Sequence, residues 1–160
     1  MATKTENIGL ELAHFNNFKQ HIPEYETLCI VTMNKLLDMG LVQVSTAFEH
    51  ALANVGGFEV VSIDGCDGSD GSDAKLCSVR FRANQTAYSA CVSGTKNKIG
   101  KLRVQVYERM TNKFYFFVIP NEAYCNITYV EIPFKLDGSP NRNSKWWKHE
   151  VNTFVELSKI

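Results

Sequence analysis

Four aspartates recur at a strict spacing of three in Asp64-Gly-Cys-Asp67-Gly-Ser-Asp70-Gly-Ser-Asp73. Carboxylates so close together can gather a cation, and Ca²⁺ needs several oxygens converging at about 2.3–2.6 Å. The spacing departs from an EF-hand, which steps its ligands by two and closes with a Glu where this chain has Lys75. The run reads as a solvated Gly/Ser/Asp loop, with two alternatives: Asp73 delivers one carboxylate to a metal at the start of the next strand, or the loop is a dedicated Ca²⁺ site. Soon afterwards the chain turns basic. Arg80, Arg82, Lys96, Lys98, Lys101, Arg103, Arg109 and Lys113 follow with a single acid, Glu108, among them. Such a density of cations must be solvated, paired with the acidic part of the chain, or neutralised by a polyanion. Other chemistries find no footing: His14, His21, His50 and His149 show no ligand spacing, and there is no CxxC pair, no Ser/Cys-His constellation and no Gly-rich phosphate loop closed by a Lys.

The charges are sorted along the chain. Residues 1–74 hold three Lys/Arg against eleven Asp/Glu, and residues 75–160 hold fourteen against six, so halves of −8 and +8 cancel to a formal zero. That asymmetry points to a nucleic-acid surface. At 160 residues with 44% apolar content the chain is expected to form one domain, 1–160, with a core of its own. No apolar run approaches the ~18 residues of a membrane span, and the N-terminus lacks the basic-then-apolar pattern of a signal peptide, so a cytoplasmic protein with reduced thiols at Cys29, Cys66, Cys77, Cys91 and Cys125 is expected.

The elements that must position these residues are α+β. A helical part, 1–57, comprises an amphipathic stretch through Leu10, Phe15 and Phe18 that ends before Pro23, a helix over Glu24–Met39 stopped by Gly40, and a third from Ser45 or Thr46 to Gly56-Gly57. The period then changes to two, and 58–134 reads as an antiparallel-rich sheet of about four to six strands: Phe58–Ile63, Lys75–Arg82, Tyr88–Ser93, Leu102–Arg109, Phe114–Pro120 and Val130–Phe134. In the Leu102 strand, Leu102, Val104 and Val106 alternate with Arg103, Gln105 and Tyr107, which predicts one packed and one wet face. A closing helix is expected from Trp146 to Leu157, within 145–158, with Trp146 and Trp147 anchoring it to the core; stacking on bases is the alternative.

The order of parts, with Glu49 on a helix, Gly56-Gly57, a short strand, a loop, a strand opening with Asp73, and "LRVQVYERMTNKFYFFVIP" over Leu102–Pro120, resembles the PD-(D/E)xK nucleases of restriction and homing endonucleases. The resemblance implies Glu49 as the helix acid, Asp73 as the strand acid, and Gln105 where the family often writes Gln-x-Lys. It also implies Mg²⁺ held by Asp73 and Glu49 if the site is active, polarising a phosphodiester while a Lys offsets developing charge. Position 107, however, is Tyr. Lys75, two residues after Asp73, or Lys96 or Lys98 would then have to supply the cation. Plainer roles stand beside these: Thr46-Ala-Phe-Glu49 is a capping box in which Glu49 bonds back to the helix start, Asp73 is the last loop aspartate, and Gln105 is an outward polar residue.

Two functions follow from the resemblance. The first is a DNA-binding protein with a decayed active site and no cofactor, acting as a sequence-specific repressor of phage or mobile-element type. The second is an active Mg²⁺-dependent endonuclease with a rearranged Lys. Tyr107 and the zero net charge favour the first. A protein-interaction or Ca²⁺-loop module without nucleic acid is the third possibility. In the DNA-binding reading Arg80, Arg82, Lys96, Lys98, Lys101, Arg103, Gln105, Arg109 and Lys113 contact double-stranded DNA, with Arg and Gln on a two-stranded ribbon reading bases and lysines at turns meeting phosphates. A palindromic target would bring a homodimer.

Overall fold

The computed structural model describes residues 3–22, 30–63 and 65–160. Asp64 of the aspartate run, Cys29, and the start of the helix expected from Glu24 lie outside these. Three helices open the chain: α1 (Lys4–Phe18), α2 (Ile30–Asp38) and α3 (Val44–Gly56). Thr3 caps α1 by accepting from the Glu6 N–H at 3.1 Å. In α3 the residues Val44, Ala47, Phe48, Ala51 and Leu52 recur at helical spacing and form its buried face. The helix stops at Gly57, whose φ of 77° is the left-handed conformation that glycine adopts without strain.

The strands are β1 (Val60–Ile63), β2 (Cys66–Gly68), β3 (Asp73–Ser78), β4 (Arg80–Arg82), β5 (Ala87–Val92), β6 (Leu102–Glu108), β7 (Lys113–Ile119), β8 (Val130–Phe134) and β9 (Glu150–Val151). They form a β1–β2 hairpin, a sheet in the order β3-β6-β7-β9, and a second sheet in the order β4-β5-β8. Every pairing is antiparallel except β3–β6, which is parallel and sets Asp73 beside Leu102 and Ser78 beside Tyr107. The turn at Met110–Asn112 makes the expected β6–β7 hairpin, but the Thr95–Gly100 segment carries the chain from one sheet to the other instead of closing a hairpin. The architecture is α+β, with helices at both ends and antiparallel-rich sheets between them.

Two cores explain the layering. One joins Leu102, Val104, Val106, Phe117 and Ile119 of the larger sheet to Tyr88, Ala90, Val130 and Ile132 of the smaller. The other joins Phe116, Leu76 and Val118 to Phe15, Phe18, Phe48 and Leu157 of the helices. The larger sheet is therefore covered on both faces. Fully burying one such Phe or Leu stabilises the fold by about 1.5–3 kcal/mol.

The long helix expected over Trp146–Leu157 is instead a 3-10 turn (Lys145–His149), the strand β9, and a short helix α5 (Phe154–Lys159). Two capping signals account for the break. Ser144 accepts from the Trp146 N–H at 3.3 Å, and Thr153 accepts from the Glu156 N–H at 3.1 Å, restarting the helix. Between the two, Val151 pairs with Phe116 on the sheet edge. Trp146 and Trp147 are buried, as an anchoring pair should be. A further short helix, α4 (Asn121–Tyr124), follows β7.

Candidate acidic site at the edge of the larger sheet

The run from Cys66 to Asp73 is a built turn. Asp67 N–H and Gly68 N–H both donate to the Ser72 carbonyl, at 2.9 and 3.0 Å. Asp70 Oδ1 accepts from the Ser72 N–H at 3.1 Å and from its hydroxyl at 2.5 Å. Arg103 reaches up from β6 and donates to Asp70 Oδ2 at 2.7 Å, to Ser72 Oγ at 3.3 Å, and to the Leu157 carbonyl of α5, with its guanidinium 5.0 Å from the Phe58 ring centroid. Close backbone contact locks the opposite side: a Cβ at Gly100 would stand 2.2 Å from the Gly71 carbonyl oxygen, so only glycine fits. The aspartates spaced by three thus diverge in role. Asp70 ties the turn, and Asp67 and Asp73 point to one place.

Asp67 sits between the buried residues Cys66 and Gly68 of β2, and its Oδ2 accepts the Ala74 N–H at 2.9 Å. Asp73 opens β3 with its side chain 1% exposed. Lys98 Nζ stands 3.0 Å from Asp73 Oδ1 and Lys75 Nζ 3.2 Å from Oδ2, and among the described residues no backbone N–H reaches either oxygen. Glu49 of α3 completes the group. The helix begins one residue after Gln43, not at Thr46, so the expected capping box does not form and Glu49 lies in the second turn, beside Phe48 on the border of the apolar face.

The electrostatics show how tightly these acids crowd. Burial pushes the Glu49 carboxyl up to about 7, helped by the neighbouring charge of Asp67, a hydrogen bond with it, and the charge of Asp73, against the pull of Lys98. Burial also raises Asp73, with Asp67 beside it, opposed by Lys98 and Lys75. Burial alone would lower Lys98, but Asp73 and Asp67 outweigh it and hold its ammonium charged. A void of about 10 Å³, room for one water-sized sphere, lies between Glu49, Asp67, Ser72 and Ala74 under Leu52 and Phe58. Among the described residues no three His, Cys, Asp or Glu side chains already stand in metal-ligand geometry. A cation here would compete with Lys75 and Lys98 for Asp73.

The other residues expected at the site fall elsewhere. Gln105 is 0% exposed; its Oε1 accepts from Asn17 at 3.1 Å and its Nε2 meets His14 Nδ1 at 2.9 Å, so it joins β6 to α1. Tyr107 stacks on Phe114 and donates to Asn112 at 3.1 Å. The register puts it beside Ser78, five residues along β3 from Asp73 and thus roughly 16 Å away at ~3.3 Å per residue. The expected wet face of β6 does not exist, because β6 lies between β3 and β7 and its residues 102–106 are all buried. A ribbon built on β6 cannot enter a DNA groove.

The remaining cations are dispersed. Lys101 donates to the Ile160 carbonyl at 2.5 Å, and Arg109 pairs with Glu6 at 2.6 Å. Lys96 is exposed on a turn and Lys113 at the start of β7. Arg80 and Arg82 line a cleft beside α1. Sequence reasoning missed Asp67 as the partner of Asp73, although the acid-x-Lys spacing that it sought at 105–107 is present at Asp73-Ala-Lys75. Compared with family models, curated proteins and solved structures, the chain matches none.

Proposed function

We propose that this chain is a divalent-metal-dependent phosphodiesterase acting on DNA, with Glu49, Asp67 and Asp73 as the acids and Lys75 and Lys98 as the cations. The observation that supports this best is the buried Asp73 carboxylate, which accepts no backbone hydrogen bond among the described residues and is shared between two ammoniums and the neighbouring acid Asp67, with Glu49 close by. A carboxylate kept only for stability is ordinarily satisfied by hydrogen bonds. This one is left available to a charge.

Carboxylate oxygens are the donors that Mg²⁺ takes, and the three acids would have to close up around the ion, since among the described residues no three stand ready for one. Bound by Glu49, Asp67 and Asp73, such an ion would polarise the phosphodiester and ease ionisation of the attacking water. The chain's own residues do the rest. Lys75, on the strand with Asp73, offsets negative charge growing on the phosphate, and Lys98 does so from the 94–101 segment. Glu49, whose carboxyl titrates near 7 without the ion, would give up its proton as it takes hold of the metal. Leu52 and Phe58 line the small void beside that carboxyl.

The test is incubation of the protein with supercoiled plasmid in Mg²⁺ and in EDTA, alongside Asp73→Asn and Lys75→Ala. Mg²⁺-dependent nicking or linearisation that both variants lose supports the proposal. A second reading, a DNA binder that does not cut, draws on the same two ion pairs, because Asp73 is already matched by Lys75 and Lys98. Salt-sensitive binding by an intact fold with no cutting in Mg²⁺ or Mn²⁺ would establish that reading and defeat the first.

A further inference from the structure

A cleft of about 690 Å³ runs beside the free edge of β3. Asn7 and Glu11 of α1 form one wall, Gln43 before α3 closes one end, and Ser78 with Arg80 and Arg82 forms the other side. Among the described strands β3 pairs only with β6, and Leu76, Cys77 and Ser78 of its outer edge line this cleft, while nearer the acidic site that edge is met by Asp67, which accepts the Ala74 N–H. The strand leads from Asp73 and Lys75 of the acidic site to Ser78 over about 10–17 Å at ~3.3 Å per residue.

The two arginines are under-used. Arg80 Nη2 donates to Asn7 Oδ1 at 3.4 Å and Arg82 Nε to Ser89 Oγ at 3.0 Å. Neither forms an ion pair among the described residues. Each guanidinium has five N–H donors in a fork that matches phosphate oxygens, so most of that capacity is unspent. The lining includes no Phe, Tyr or Trp, which leaves bases nothing to stack on and directs recognition to the backbone.

The volume points to the substrate. About 690 Å³ is small-molecule bulk, room for one or two nucleotides of a single strand and too little to enclose a duplex. The basic stretch from Arg80 to Lys113 does not offer one face to a duplex, because Arg103 is buried, Arg109 and Lys98 are paired with carboxylates, and Lys101 is tied to a carbonyl. We infer that this cleft takes the phosphodiester backbone of a single DNA strand, Arg80 and Arg82 on its phosphates, and leads it along β3 to the acidic site. The inference rests on the reading of that site as one that acts on DNA.

Fluorescence anisotropy in EDTA, with a labelled oligothymidylate and a blunt duplex of equal length as probes, tests this without cutting. The single strand is expected to bind at least tenfold more tightly than the duplex. Arg80→Gln/Arg82→Gln should lower the single-strand salt slope by about 1.4, two phosphates at ~0.7 each. Lys113→Gln, at the start of β7 outside the cleft, should leave it unchanged. Melting curves establish that each variant is folded, and Arg80→Lys/Arg82→Lys, which keeps the charge, should restore most of the slope. Equal affinity for duplex and single strand, or an unchanged slope in the folded Gln variant, overturns the inference. Single-strand binding of the expected kind without cutting in Mg²⁺ leaves the cleft standing and removes the hydrolase. Mg²⁺-dependent cutting that the Gln variant retains at unchanged affinity does the reverse.

Discussion

Replacing Arg103 by Met separates a buried tie from a DNA contact. Arg103 is 2% exposed, and it joins β6 to the turn that carries Asp67 and Asp73 and to the last turn of α5. Met retains much of the stem's packing but no donor. The Leu157 carbonyl then loses a buried partner, at about 1–3 kcal/mol, and the cation over Phe58 is lost, at about 1–2 kcal/mol. Asp70 is 27% exposed and can turn to water, so its side of the ion pair adds little. The sum is about 3 kcal/mol, the lower end of the range for breaking a buried pair. For a chain of this length 1 kcal/mol moves Tm by about 2–4 °C, so Arg103→Met should melt about 6–12 °C below the parent, read by circular dichroism or calorimetry. Arg103→Lys should recover only part of the loss, because one ammonium cannot reach Asp70, Ser72 and Leu157 together. A melting point within 2 °C of the parent, accompanied by a large loss of DNA affinity, would refute the tie and return Arg103 to the DNA-facing role that alternation in β6 predicts.

The acidic site makes its own pH and metal predictions. Because the native Glu49 carboxyl titrates near 7 and the unfolded one near 4.5, the native state holds the extra proton between those values. Stability from this group therefore falls as pH rises through that window, and Glu49→Gln should flatten the fall in urea unfolding curves taken from pH 5 to 8. Mg²⁺ should raise Tm, since a ligand at about a hundred times its Kd adds about 2.7 kcal/mol, and Asp67→Asn should abolish the rise while leaving the fold intact. Glu108, 0% exposed, accepts from Tyr88 at 2.6 Å, from the Met110 and Thr111 N–H groups at 2.8 Å each, and from the Thr111 hydroxyl. Burial raises its carboxyl, but these bonds outweigh that and hold it below its ordinary value. Its contribution is present above the unfolded pKa and lost as pH falls through the native one. Glu108→Gln, which sets an amide against N–H donors, should cost about 3 kcal/mol at neutral pH and little under acid, by chemical denaturation.

Periodicity made most of the elements legible. The strand over Val130–Phe134 matches β8 residue for residue, and the helices ending at Phe18 and Gly56 follow their apolar spacing. The failures have separate physical causes. β2 is three residues long and lies in a Gly/Ser/Asp run, where turn composition masks a strand made by pairing with β1. The Lys75–Arg82 strand divides at Val79 because the chain passes there from the larger sheet to the smaller, an event of packing with no local signal. Thr153-Phe-Val-Glu156 was readable as a helix start and would have broken the closing helix in two.

The placing of the acid-x-Lys pair shows why alternation alone misled. Arg103, Gln105 and Tyr107 alternate with valines as an amphipathic strand should. Yet alternation records only that two faces differ, and a strand between two layers can spend its polar face on buried ties. β6 does so: Arg103 bonds to the Asp70 turn and to α5, and Gln105 to α1, while Tyr107 stacks against Phe114. A site that must bind and release a charged substrate has to reach water, and residues 102–106 of this covered central strand do not. The edge strand β3 has one flank unpaired among the described strands, so Asp73 can be buried within the group while the side chains of Lys75 and Lys98 stay about a fifth exposed. Burial at the acid and access at the lysines are both needed to perturb a carboxylate and still exchange ions with solvent. On this argument the site belongs on β3 whatever residue stands at 107, and Tyr107→Lys should change neither metal-dependent melting nor cutting, whereas Lys75→Ala should change both.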